Sequence, residues 1–288
     1  MPVLGQNKKP GEVMITRCWS YPVDAGVDIA SAGQTFYVAH EGGVIEAVSA
    51  SGTKQWATEL GGIVASNVEA KIGYVAVVTM AANGTGTQLR SLSAETGVVR
   101  WSIPVRAAKK YSLQYGELTI TAVTEDGQMD LFDAATGKPV AAIITPESDT
   151  ISGDVLGNIV RSVNGKQVWR YRAGGAISQI IKFDDVILAA SDDNFIYSIS
   201  RSSGHVRWKH RLSGRVASMG TVGTDLIIVS SPDEHGLVIL EKNKGHSTGR
   251  IGWSDDEAVT DIELPADGTI LVLTGSSLDR YSMGTCAK

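Results

Sequence analysis

The sequence predicts an all-β chain folded as a seven-bladed propeller of four-stranded antiparallel blades. Three observations carry that expectation. Five tryptophans each stand four residues after a glycine: Gly52–Trp56, Gly97–Trp101, Gly165–Trp169, Gly204–Trp208 and Gly249–Trp253. The segments between them alternate β-branched and aromatic residues and break at Gly, Asn and Asp, the pattern of short strands joined by tight turns. The two ends of the chain read as complementary parts of one incomplete unit.

Taken in order, the sixth tryptophan comes first. Trp19, in "MITRCWSYPV", has the flanking strand but no turn before it. Units one and two end at Trp56 and Trp101. Unit three, "DAATGKPVA", keeps its turn at Gly137 but has Ala141 in place of the ring. Unit four is short, with only 28 residues from Ala141 to Trp169. That leaves room for a stunted first half, and a six-bladed ring with an irregular insertion stays open. Unit five is the clearest, with "GGAISQII", "DVILAASD", "NFIYSIS" and "HVRWKHRL" as its four strands. "SDDN", "EDG" and "ANG" supply turn residues that tolerate positive φ. No stretch reads as a helix of three turns. The last unit runs "AVTDIEL", "TILVLTG", "SLDRYSM" and stops before a fourth strand, which "EVMITRCWSYPV" supplies from the other end. Residues 1–12 are then a tail and 13–288 one propeller domain. Closure of this kind removes an exposed sheet edge.

The composition is that of a globular protein: 288 residues, 43% hydrophobic and 20% charged. Its 32 glycines exceed the roughly 7% of average usage and fit many tight turns. A net charge of −5 argues against a general nucleic-acid binder. No apolar run matches a signal-peptide core or a membrane span. Cys18 and Cys286 lie about 10 Å apart along the expected hairpin, at ~3.3 Å per residue, too far for a bridge. They are expected as free thiols, which places the chain in the cytoplasm, off the membrane.

"SLSAETGVVRW", "LFDAATGKPVA" and "SISRSSGHVRW" resemble the Ala-x-Asp-x-x-Thr-Gly-Lys-x-x-Trp repeat of the PQQ-like, quinoprotein-type β-propellers. The likeness covers nearly the whole chain after residue 12. That family includes quinone-dependent dehydrogenases, outer-membrane assembly lipoproteins resembling BamB, and scaffolds. The resemblance implies that Trp19, Trp56, Trp101, Trp169, Trp208 and Trp253 are structural, each packing on the glycine turn of a neighbouring blade. The dehydrogenases use adjacent cysteines, a Ca²⁺ site and an axial tryptophan. This chain has no Cys-Cys pair and its tryptophans sit in the outer repeat position, so no quinone or other cofactor is expected.

No nucleophile elbow, P-loop or zinc-type cysteine cluster appears. A small or polar residue recurs just past the start of the inner strands: Asp28, Ser66, Ser178, Ser218 and Asp261. Asp28 and Asp261 are the candidates if the channel mouth holds an enzyme site. His40 and His235, with Glu41, Asp233 and Glu234, are the candidates for a metal site against exposed turn histidines. Charge is better organised. Turns between second and third strands, and inter-blade loops, carry Glu41, Glu125, Asp126, Asp192, Asp193, Asp233, Glu234, Asp255, Asp256 and Glu257. The outer strands of units four and five carry Lys166, Arg170, Arg172, Arg207, Lys209, His210 and Arg211. The function expected is a non-catalytic scaffold, a single ring or a subunit of a complex. It binds a protein with a basic segment through Glu41, Asp192, Asp193, Asp233, Glu234, Asp255 and Asp256. The alternative is an enzyme or a small-ligand or metal sensor at the channel mouth.

Overall fold

The computed structural model describes residues 14–83, 86–141, 149–231, 236–252 and 259–286. Among them there is no helix, and seven antiparallel sheets follow one another along the chain as the blades of a seven-bladed β-propeller. One compact unit comprises 17–144 and 259–281 and carries blades one, two, three and seven. The other comprises 1–16, 145–258 and 282–288 and carries blades four to six.

Blade one shows the regular pattern: Gly26–Ala32, Thr35–His40, Val44–Ser49 and Lys54–Glu59, each paired with the next from inner to outer strand. Its second strand is buried on both faces. Phe36 and Val38 pack with Leu271 and Leu273 of blade seven, while Tyr37 and Ala39 pack with Val75 and Val77 of blade two. The period of two along a strand thus assigns alternate residues to the two neighbouring blades. The same sharing joins blades two and three, four and five, and five and six. The core lies between blades, so no single blade could bury its own faces.

Blade seven is made from both chain ends. Ile15–Pro22 pairs with Ser277–Met283, which continues into Ile270–Thr274 and Val259–Glu263. This is the closure the sequence predicts. The cysteines correct the expectation: Cys18 and Cys286 are disulfide-bonded, and neither is free. Separation along an extended strand was the wrong measure. The chain turns after Met283, Gly284 N–H donates to Met14 O at 2.8 Å, and Cys286 Sγ comes back to 4.0 Å from Thr16 O, beside the N-terminal strand.

Blade four has three strands among the described residues, Asp149–Gly153, Asn158–Val163 and Lys166–Arg172. Trp169 lies on the last, which makes these the second, third and outer strands, while residues 142–148 before them lie outside the described residues. A three-stranded sheet still counts as a blade, which decides seven over six.

Five indoles make one repeated contact. Trp19, Trp56, Trp101, Trp169 and Trp208 each donate Nε1–H to a carbonyl in the following blade: Ala50, Ala94, Ala134, Arg201 and Lys242, at 2.8–3.1 Å. Each ring lies on that blade's turn glycine, Gly52, Gly97, Gly137, Gly204 or Gly245, all at φ between 68° and 77°. A Cβ at Gly97 would stand 2.5 Å from the Trp56 ring. The glycine is needed twice over, for its left-handed backbone and for the close approach of the ring.

Blade six departs from the register expected. Its turn glycine is Gly245, whose N–H donates to Glu241 O at 2.7 Å. Gly249 instead lies within the outer strand Ser247–Gly252, opposite Ile239, at the place the other blades give to tryptophan. Gly249–Trp253 imitates the spacing one turn too late. Trp253 itself lies outside the described residues.

Candidate functional site

Polar side chains on the inner strands form the most concentrated chemistry. Asp261 Oδ2 accepts the N–H of Ile29 at 3.1 Å, and Asp28 Oδ2 accepts that of Val68 at 2.6 Å. Asn67 grips the next blade with both amide atoms, accepting Leu113 N–H at 2.7 Å and donating to Leu113 O at 3.1 Å. Gln179 does the same to Met219, at 2.9 and 2.8 Å. Each of these residues reaches from its own inner strand to the backbone of the following one.

A β-bulge explains why these side chains are aimed sideways. The inner-to-second-strand register shifts between Gly26 and Asp28, between Ile177 and Gln179, and between Val259 and Asp261. The extra residue kinks the strand and re-aims the next side chain along the sheet row. The reaching residue is the one just after the shift. Blade two achieves it differently, since its inner strand is broken into Ile63–Val64 and Glu69–Lys71 and Asn67 sits in the gap. Ser66 and Ser178 therefore lie one residue short of the true position. Ser66 Oγ donates to Asn67 O and accepts Val78 N–H, and Ser178 Oγ donates weakly to Ala190 O at 3.4 Å. Ser218 is half-buried on the inner strand of blade six.

The carboxyl groups crowd together in the unit of blades seven, one and two. Asp261, bound to the amide that follows Asp28, brings its charge to bear on that carboxyl, and Glu263 takes Ser31 Oγ–H at 2.6 Å and Ser31 N–H at 3.2 Å. Glu69 accepts from Asn67 at 3.1 Å. Burial, and then the charge of Asp261, push the Asp28 carboxyl up to about 8. Burial also raises Asp261, Glu263 and Glu69. Beside Asp28 opens a cavity of about 590 Å³, with Ser66, Asn67, Lys109, Lys110 and Ser112 on its wall. Asp28 and Asp261 are brought together, but as fasteners between blades, each accepting a backbone amide of the following blade.

His40 is not on an exposed turn. It ends the second strand of blade one at 9% exposure, with Nδ1 2.6 Å from Asp24 O and Nε2 3.3 Å from Glu46. Glu46 is buried and accepts Tyr21 O–H and Lys54 Nζ–H, both at 2.7 Å. Those partners outweigh its burial and hold its carboxyl below the usual range. Among the described residues no group of three metal-ligating side chains is assembled. His235, Asp233 and Glu234 lie outside the described residues, as do Asp255 and Asp256.

The remaining turn acids differ in availability. Glu41 is exposed and Asp192 is half-buried. Asp193 is spent on its own blade, taking Tyr197 O–H at 2.5 Å and the N–H groups of Gly174 and Phe195. Glu125 accepts the N–H groups of Lys109 and Lys110, and Asp126 accepts from Thr124 and Gln128. The corresponding turn of blade four carries no acid at its tip. Val155 and Leu156 stand there 83% and 65% exposed. Asp154 locks that turn from below, accepting Leu156 N–H at 2.9 Å and Asn158 N–H at 2.8 Å. On the basic outer strands, Arg207 pairs with Asp185 at 2.8 Å, Lys209 lies over Phe195 and Arg170 is tied to Asn158.

Comparison with known proteins agrees with this architecture. The family described as outer membrane protein assembly factor BamB matches residues 11–142 and 156–281. BamB from Moraxella catarrhalis is similar in structure, with a TM-score of 0.67 at 15% identity over 96% of this chain and 99% of that one. The WD40 propeller domain of Doa1 superposes with a TM-score of 0.69 at 13% identity, over 95% and 98%. The computationally designed Ika8 protein gives 0.57 at 11%, over 90% and 96%. A search of curated protein sequences gives no match. The repeated Trp-on-glycine contact and the family match over both halves agree, and the chain belongs to the BamB-like PQQ repeat family of β-propellers.

Proposed function

We propose that the protein is a non-catalytic scaffold that docks a protein partner on the turns joining second and third strands. The observation that carries this is the blade-four turn. Asp154 holds it rigid, yet it gives Val155 and Leu156 to solvent, an arrangement that costs solubility and contributes nothing to the core. Two apolar side chains on a fixed knuckle suit the buried centre of an interface, where a few anchors supply most of the affinity. Asp192, in the same compact unit as the knuckle, would supply a polar rim that favours a basic segment, with Asp233, Glu234, Asp255 and Asp256 as the further acids of that unit's sequence. Asp193, bound within its own turn, contributes by shaping blade five. The matched family's description, an assembly factor, supports a role inside a larger complex. The Cys18–Cys286 bond favours an oxidising compartment over the cytoplasm expected from two free thiols.

The test is a stoichiometric complex isolated from native cells, then re-formed with purified Val155→Asp/Leu156→Asp protein. The reading expects at least a tenfold loss of affinity at unchanged melting temperature. Undiminished binding would reject it, and loss caused only by Arg207→Glu/Lys209→Glu would move the interface to the outer strands.

A further inference from the structure

We propose that Asp28 and Asp261 share one proton across the seam between blades seven and one, and so act as a pH-sensitive fastening, tight in mildly acidic solution and looser as the pH rises. Asp261 Oδ2 accepts the N–H of Ile29, the residue after Asp28, which sets the two carboxyl groups side by side on the seam. Two such groups can hydrogen-bond to each other only if one of them carries a hydrogen, because carboxylates are acceptors only. The proton belongs to Asp28. Its second oxygen is already fixed on Val68 N–H at 2.6 Å, while Asp261 accepts two amides, Ile29 N–H at 3.1 Å and Ile262 N–H at 2.8 Å, which favour the ionised form. The fastening then runs in one line through three blades: Asp261 holds the strand after Asp28, Asp28 donates back to Asp261, and the other oxygen of Asp28 holds blade two.

The charged groups that face this pair add to the strain of a second ionisation. From blade seven, Glu263 stands two residues along the strand from Asp261 and bonds to Ser31. From blade two come Glu69 and the Val68 amide. Lys109 and Lys110 border the cavity that Asp28 also lines, on the side of blade three. The inner cluster is therefore acidic, with its lysines at the solvent-filled margin. Losing the shared proton places two negative charges in contact at a part-buried seam.

The sign follows from proton counting. A folded-state carboxyl whose affinity for its proton is raised keeps that proton over a range where the unfolded chain has released it. Folded protein then binds one more proton than unfolded protein between about pH 4 and pH 8, and stability falls as the pH rises through that window. One proton corresponds to a tenfold fall in the folding equilibrium constant per pH unit.

The experiment is urea unfolding from pH 5 to pH 8, together with infrared detection of a protonated carboxyl at pH 7. Asp28→Asn copies the protonated group, since its amide oxygen can accept Val68 N–H and its NH₂ can donate to Asp261. The variant is expected to lose a tenfold-per-unit component of the wild-type pH dependence and the protonated-carboxyl band. An unchanged slope with an unchanged band overturns the proposal. If Asp28→Asn does not fold, the band in the wild-type protein still decides: it must be present at pH 7 and titrate away near pH 8. Its absence at pH 7 rejects the shared proton. Asp261→Asn is a second variant: it removes the neighbouring charge but not the burial of Asp28, so the band should titrate away at lower pH than in wild type, and an unchanged titration would reject the coupling.

Discussion

Trp208 and Gly245 make the sharpest prediction, because the two residues explain each other. Trp208→Ala removes a large half-buried ring that packs beside Leu188, Ile227 and Val238, and it leaves Lys242 O without its indole donor. Large aromatic truncations in cores cost about 3–5 kcal/mol. Gly245→Ala places a methyl group into the Trp208 ring and forces a non-glycine residue to φ 68°. The left-handed conformation alone costs about 1 kcal/mol, and the overlap adds about 1–3 kcal/mol of the kind overpacking causes. In the double variant the overlap disappears with the ring, so Gly245→Ala should then cost only the conformational part. The cycle should show a coupling of about 1–3 kcal/mol by urea unfolding. Gly165→Ala is the control. That glycine has φ 74° and no atom within 4 Å of the added carbon, so about 1 kcal/mol is expected. An additive cycle, or a Gly165→Ala cost equal to that of Gly245→Ala, would refute the claim that the repeat glycine makes room for the ring.

Other expectations follow the same logic. Deleting residues 1–22 strips the outer strand from Ser277–Met283 and should lower stability by several kcal/mol, read as a fall of many degrees in melting temperature. Thiol titration under denaturing conditions without reductant should find no free cysteine, and two after reduction. Reduction should destabilise by up to roughly 5 kcal/mol for so long a loop, and two reactive thiols at the start would contradict the bond. Asp193→Ala should cost about 1–3 kcal/mol because it strips three hydrogen-bond donors of their acceptor, whereas Asp192→Ala should be within about 0.5 kcal/mol of wild type. Equal effects would mean that the two neighbours are not divided between turn and surface.

Much of the fold is legible in the sequence because the repeat is a physical contact. In one blade the indole meets the turn glycine of the following blade, and the glycine four residues before it receives the indole of the preceding one, so both signals recur together. The joining of the chain ends is legible for the same reason, since an unfinished strand set leaves an exposed edge. Gly249–Trp253 misleads because spacing alone does not say which glycine turns; Gly245 does, and the tryptophan position of that blade is filled by Gly249. The inner-strand fasteners are half-legible. Asp28 and Asp261 stand out as carboxylates at matching places, but a bulge adds one residue to the strand and shifts the matching position in blade five from Ser178 to Gln179. Neither a bulge nor a strand break has a fixed residue signature, so Gln179 and Asn67 pass as ordinary strand amides. The Cys18–Cys286 bond depends on a turn after Met283 that no periodicity announces. The knuckle of Val155 and Leu156 is visible as "DVLG", yet apolar residues in a short unit read as core until their exposure is known.

The central claim is that the Trp-bearing turns hold the blades together while the opposite turns meet the partner. Amine cross-linking of the native complex, read by mass spectrometry, tests it most directly. Within the unit of blades four to six, Lys209 lies over Phe195 at the start of a third strand, whereas Lys244 lies on a Trp-docked turn and Lys166 begins an outer strand. The account predicts partner cross-links through Lys209 that vanish with Val155→Asp/Leu156→Asp. Cross-links confined to Lys166 and Lys244, and unchanged by that variant, would contradict it.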